Sequence, residues 1–156
     1  MVHQNYIHQA ITLAKTAQLN GNLPYACLLV DSEGQVLLEG LNTVITKPDL
    51  IGHAEINLIQ EASKHFGVEF LKSCTIYTSD EPCSMCASAI YWAGVGRLVY
   101  GLSKQRFYQE FGRENSDWDF EFSSRKVLEK GARPTEVIGP MLEDQVIKLH
   151  KGKYSE

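Results

Sequence analysis

Two short clusters hold the residue types that could do chemistry: His53-Ala54-Glu55 and, farther along, Pro82-Cys83-Ser84-Met85-Cys86. Zinc takes imidazole nitrogen and thiolate sulfur in a tetrahedron. A catalytic ion keeps three protein ligands and an open position, whereas a structural one closes with four. His53, Cys83 and Cys86 supply three. Water in the open position has its pKa lowered to about 7, which makes a nucleophile at neutral pH. Cys83 and Cys86 stand three apart, so on a helix they share a face and can reach one ion. Pro82 suits the first position of a helix, where its missing N–H costs nothing, and this puts both cysteines at the helix start. There the helix dipole favours the thiolate a metal needs. His53 follows the loop Lys47-Pro48-Asp49-Leu50-Ile51-Gly52 and precedes Ile56, Ile59 and Ala62 at helical spacing, so it begins a second helix. Residues two apart do not share a helix face, so Glu55 is expected to leave the ion to His53. Its carboxylate would instead take the proton of the water and hand it on, as hydrolysis of a C–N bond requires.

The elements that must position these groups alternate along the chain. Ile7, Ala10, Ile11, Ala14 and Ala17 predict a helix from about residue 3 to 19, ended by Asn20-Gly21-Asn22. Two strands follow, Ala26 to Asp31 and Gln35 to about Ile45, joined as a hairpin by a turn containing Gly34. Next come a helix from His53 to about His65, a strand from Cys74 to Thr78, a helix from Cys83 to about Trp92 and a strand from Arg97 to Leu102. Ser103 to Phe122 mixes aromatic with charged residues and reads as a covering loop with a short helix. A short helix near Ser124 to Lys130, a strand at Thr135 to Ile138 and a helix from about Met141 to His150 finish the pattern. Strands alternating with helices imply an α/β sheet covered on both faces.

With 156 residues, 44% of them hydrophobic, the chain can bury one good core and is too short for two ordinary domains, so a single domain over 1–156 is expected. No apolar run approaches a membrane span, and the amino terminus reads as a polar-faced helix rather than a signal peptide, so a soluble, cytoplasmic protein is expected. Four cysteines in such a chain do not suggest a disulfide scaffold. Two are assigned to the metal. Cys27 and Cys74 lie in strand-like runs, where a free cysteine behaves as a small buried hydrophobe.

His53-Ala54-Glu55 followed by Pro82-Cys83-Ser84-Met85-Cys86 resembles the H-x-E … P-C-x-x-C signature of the zinc-dependent cytidine deaminase superfamily. The resemblance runs over about residues 1 to 150, and its specificity lies in the two motifs. It implies a cytidine deaminase-like three-layer α/β/α sandwich around a mixed, roughly five-stranded sheet, with the two zinc-bearing helix ends meeting in the middle. It also implies one Zn2+ per chain on His53, Cys83 and Cys86. Glu55 would shuttle a proton from water to a ring nitrogen and then to departing ammonia.

The same resemblance suggests how a base is held. Asn42 matches the asparagine that hydrogen-bonds substrate in the purine-directed branches, although an asparagine there can also simply form a turn. The backbone N–H of Ala54, at a helix start, is a free donor for a ring carbonyl. Pro24-Tyr25-Ala26 resembles a Pro-Phe-Gly element whose aromatic ring lines the base pocket; Tyr25 adds a hydroxyl and Ala26 removes room, and plain core packing is the other reading of Tyr25. Ala89-Ile90-Tyr91-Trp92-Ala93 is similar to bacterial guanine deaminases. In that branch an acidic residue on the later loop accepts the exocyclic amine, near Glu114 here, and a carboxyl-terminal tyrosine closes the pocket, as Tyr154 could from a lid helix and tail over about 141–156. Glu114 lies among other carboxylates, which is also how a solvated acidic face looks. Trp92 reads as core or as a dimer contact bordering a neighbouring subunit's pocket, with a homodimer expected by resemblance.

Three function classes stay in view. The first is a hydrolytic deaminase of a small-molecule nucleobase or nucleoside, guanine or a guanine-like amino-heterocycle foremost, with cytosine, isocytosine and aminotriazines as near neighbours. The second is a tRNA adenosine deaminase, which would draw affinity from phosphate contacts. With 15 basic and 19 acidic residues and a net charge of −4, and only Lys148, Lys151 and Lys153 as a basic tail, the chain favours the small molecule. The third is a non-enzymatic zinc module or a redox protein, which lacks a fourth ligand at motif spacing and would have no need of Glu55.

Overall fold

The structure is a computed structural model and describes residues 2–113 and 117–154. Helix α1 (Val2–Leu19) buries Ile7 and three alanines, Ala10, Ala14 and Ala17, whose small side chains let it lie close on the sheet. Strands β1 (Ala26–Val30) and β2 (Val36–Leu41) form an antiparallel hairpin. Helix α2 (Ala54–His65), a four-residue helix α3 (Val68–Leu71), strand β3 (Thr75–Asp80), helix α4 (Ser84–Ala93) and strand β4 (Arg97–Leu102) follow. Helices α5 (Lys104–Phe111) and α6 (Ser124–Leu128), strand β5 (Glu136–Ile138) and helix α7 (Glu143–Tyr154) complete the order. No helix among the described residues is long and apolar enough to cross a membrane.

The sheet order is β2-β1-β3-β4-β5. β1 pairs antiparallel with β2 and β3, while β3–β4 and β4–β5 are parallel, so the sheet is mixed and five-stranded as expected. Alternate strand residues point to opposite faces. Leu28, Val30, Tyr77 and Val99 pack with Ile7 and Ala10 of α1 on one side, and Leu102 meets Val146 and Ile147 of α7. Cys27, Leu29, Ile76, Leu98 and Tyr100 pack on the other side with Leu58 and Ala62 of α2, Ala87 and Ile90 of α4 and Leu128 of α6. Burial on both faces is why these strands read as unbroken apolar runs. The architecture is the three-layer α/β/α sandwich.

Several boundaries differ from the sequence reading. β2 stops at Leu41 rather than near Ile45, because Asn22 Oδ1 accepts from the Ile45 and Thr46 N–H groups at 3.2 and 3.0 Å and draws that stretch off the sheet. α3 had no helical period long enough to register. α7 begins two residues later than expected and runs on to Tyr154. Trp92 is 80% exposed near the end of α4, which removes the core reading of that residue in this chain.

One close approach sets the site. A Cβ on Gly40 of β2 would collide with the carbonyl oxygen of Ala54 and lie 2.9 Å from Leu58 Cβ. The absence of a side chain lets the first turn of α2 rest against the strand.

Candidate active site

The amino-terminal ends of α2 and α4 converge beside the central strands. His53 (φ −66°, ψ 151°) and Cys83 (φ −66°, ψ 172°) are the extended residues that precede them. Pro82 therefore lies one residue outside the helix, not at its first helical position: Cys83 takes the capping position, and Cys86 sits in the first turn. The sharing of a face survives, because a capping residue and the residue three on lie together at a helix start. Asn57 fixes the other helix, its Nδ2 donating to Leu41 O at 2.8 Å and to Thr43 Oγ1 at 2.9 Å while its N–H donates to His53 O at 3.0 Å.

His53 Nδ1 lies 3.5 Å from Cys86 Sγ and 3.7 Å from Cys83 Sγ. Zinc bonds of about 2.1 Å to nitrogen and 2.3 Å to sulfur, arranged tetrahedrally, require an N···S separation of about 3.6 Å. The three donors thus stand where one zinc would hold them, and among the described residues they form a group whose ligand atoms all lie within 4.8 Å of one another. Glu55 is not part of that group. Cys27 and Cys74 are buried and free.

Crowding shows in the proton affinities. A hydrogen bond with Cys86, supported by His53, holds the Cys83 thiol down at about 3 against the effect of burial. The same contact with Cys83, together with burial, pushes Cys86 far up, and the bond to Cys83 raises His53. Two sulfurs and an imidazole so close together form a donor set suited to a cation. Glu55 is 8% exposed, and burial raises its carboxyl above the usual range, with Cys83 adding to the rise and His53 and Lys104 opposing it. A raised carboxylate is a better proton acceptor at neutral pH.

Around this centre the structure places the other expected residues unevenly. Ala54 opens α2, so its N–H has no partner within the helix. Asn42 is buried, its N–H donating to Tyr25 O and its Oδ1 accepting from Val44 N–H, both at 3.1 Å. It makes the local turn and keeps its NH2 end for another acceptor. Tyr25 stands with Asp80, Glu81, Lys104 and Phe107 around a water-sized cavity, its ring 5.2 Å from that of His150. Trp92 lies roughly 13 Å along the α4 axis from Cys83, at about 1.5 Å per residue, and is not gathered with them. Glu114 lies outside the described residues, and Tyr154 is the last residue of α7.

Two buried carboxylates, Asp80 and Glu81, went unnoticed in the sequence. Asp80 Oδ2 lies 2.6 Å from His150 Nε2, joining the end of β3 to α7, and Ser79 Oγ donates to Asp80 Oδ1 at 2.8 Å. Glu81, 5% exposed, accepts from Ser124 and Lys104. Consecutive acids closing an apolar strand just before Pro-Cys were the available signal, since carboxylates are seldom buried unless bonded.

These observations define a metal-dependent hydrolytic site on a deaminase fold. The chain belongs to the cytidine and deoxycytidylate deaminase zinc-binding family, whose model matches residues 1–102. A probable cytosine deaminase of Schizosaccharomyces pombe is 34% identical over 150 residues, covering 94% of this chain and 89% of that protein. The guanine deaminase of Bacillus subtilis is 41% identical over 103 residues, covering 64% of each, a little under two thirds of its length. A solved structure of guanine deaminase from Nitrosomonas europaea superposes with a TM-score of 0.78 at 22% identity, over 97% of this chain and 84% of that one, a likeness of fold.

Proposed function

We propose that the chain, as one domain, deaminates a free amino-substituted nucleobase, with guanine or a guanine-like ring foremost. The observation that carries the reading is a buried Glu55 beside three donors already at zinc spacing. His53, Cys83 and Cys86 would hold the zinc, which would supply an acidified water and an electrophilic centre. Glu55 would take a proton from water at the site and deliver it to the ring nitrogen next to the carbon under attack. It then moves a second proton to the exocyclic nitrogen, so that water enters, the C–N bond breaks, and ammonia leaves a ring carbonyl behind.

Recognition is assigned to donors. Ala54 N–H and the NH2 of Asn42 both suit acceptors on the ring, a carbonyl oxygen or an unprotonated nitrogen. Tyr25 forms a wall. Glu114 accepts the amine of a guanine-like ring, Tyr154 closes the pocket from α7, and Trp92 borders the pocket of a neighbouring copy in a homodimer. Four free cysteines suit a reducing, cytoplasmic setting. Cytosine is the second reading, favoured by the match to a probable cytosine deaminase over 94% of the chain.

Ammonia release by zinc-loaded protein is the test, against guanine, guanosine, adenine, cytosine, cytidine, isocytosine, ammeline and unmodified tRNA. Release from guanine supports the first reading and release from cytosine alone replaces it with the second. Release from tRNA alone overturns both.

A further inference from the structure

We infer that Glu81 is a positioning residue for the metal-ligand loop, holding Pro82-Cys83 in place by binding the first residues of α5 and α6. The inference rests on the reading that His53, Cys83 and Cys86 hold a metal.

Both oxygens of Glu81 are engaged. Oε1 accepts from the Ser124 N–H and the Ser124 hydroxyl, each at 2.8 Å, and Oε2 accepts from the Lys104 N–H at 2.8 Å. Its own N–H donates to Leu102 O at 2.7 Å, continuing the pairing of β3 with β4 past Asp80. The carboxylate therefore ties the end of β3 to the starts of two helices that lie beyond Leu102. Between this anchor and the first cysteine stands only Pro82, whose ring fixes φ near −65°, so little slack separates the anchored residue from Cys83. A carboxylate accepts at every site and matches three donors; an amide of the same shape must turn its NH2 toward one of the N–H groups. The site's geometry thus depends on segments that contribute no metal ligand, a dependence of the kind in which groups outside the ligand set tune metal affinity.

Glu81→Gln and Ser124→Ala, made in the full chain, test this. Zinc affinity by competition with a chelator, the thiolate-to-metal absorption of the cobalt-loaded protein and thermal unfolding of the metal-free protein would be measured on each. Glu81→Gln is expected to weaken zinc about tenfold or more and to shift the cobbalt-thiolate bands, with Ser124→Ala between it and the parent. Unchanged zinc affinity and unchanged bands beside a lowered unfolding temperature would make Glu81 a fold staple only and overturn the inference. If Glu81→Gln does not fold, Ser124→Ala decides on the same two metal readouts. A parent protein that binds no zinc would instead overturn the reading of the site itself.

Discussion

Contact with Cys86 and His53 favours the Cys83 thiolate, and among the described residues Cys83 completes, with His53 and Cys86, a group of donors close enough to hold one metal ion. Cys83→Ala is expected to abolish the stoichiometric zinc of the parent, measured by metal analysis of the purified protein; full retention would mean the ion is held elsewhere. Asn42→Ala should raise KM about tenfold or more with kcat less affected, because a buried ring acceptor left unpaired costs about 1–3 kcal/mol. Steady-state kinetics on the active base would check this, and an unchanged KM would return Asn42 to its turn with Val44. Gly40→Ala should destabilise by about 1–3 kcal/mol, since the added methyl meets the Ala54 carbonyl and Leu58 rather than a yielding side-chain tip.

Among the elements, α7 adds to the packing of Val146 and Ile147 on Leu102 a buried polar contact, His150 to Asp80, inside a ring of Tyr25, Phe107 and Phe111. His150→Ala leaves a buried carboxylate oxygen without that partner and should cost about 2–3 kcal/mol, read as a lower midpoint in denaturant, while zinc content stays at the parent level. Loss of zinc would mean that α7 supports the metal site directly. The same contact shows why sequence legibility stopped where it did. β4 was readable to the residue because Arg97 to Leu102 is a continuous run between turns, and the ligand set was readable because its spacing is local to two helix starts. Asp80–His150 and Glu81–Ser124 join residues 70 and 43 positions apart, and no local period announces such pairs. β2 was overextended for a related reason: Ile45 and its neighbours have strand propensity, but Asn22, from another segment, takes their N–H groups.

The whole molecule carries a net charge of −4 and spreads its cations among acidic partners, as with Arg106 beside Glu110 and Asp144 and Lys151 beside Glu110. Turnover of a neutral free base should therefore change little between low and physiological salt. A steep fall in kcat/KM with salt would instead mark a phosphate-bearing substrate. The family match ends at residue 102, past the last metal-site cysteine, and α5 to α7 supply Lys104, Ser124 and His150 as partners of Glu81 and Asp80 just before Pro82-Cys83. The division of labour between donors and base is tested most directly by measuring zinc content and ammonia release together on the parent and on Glu55→Ala. One zinc per chain in both, with release from the parent alone, is the expected result; a Glu55→Ala protein that lost its zinc, or that still released ammonia at the parent rate, would contradict it.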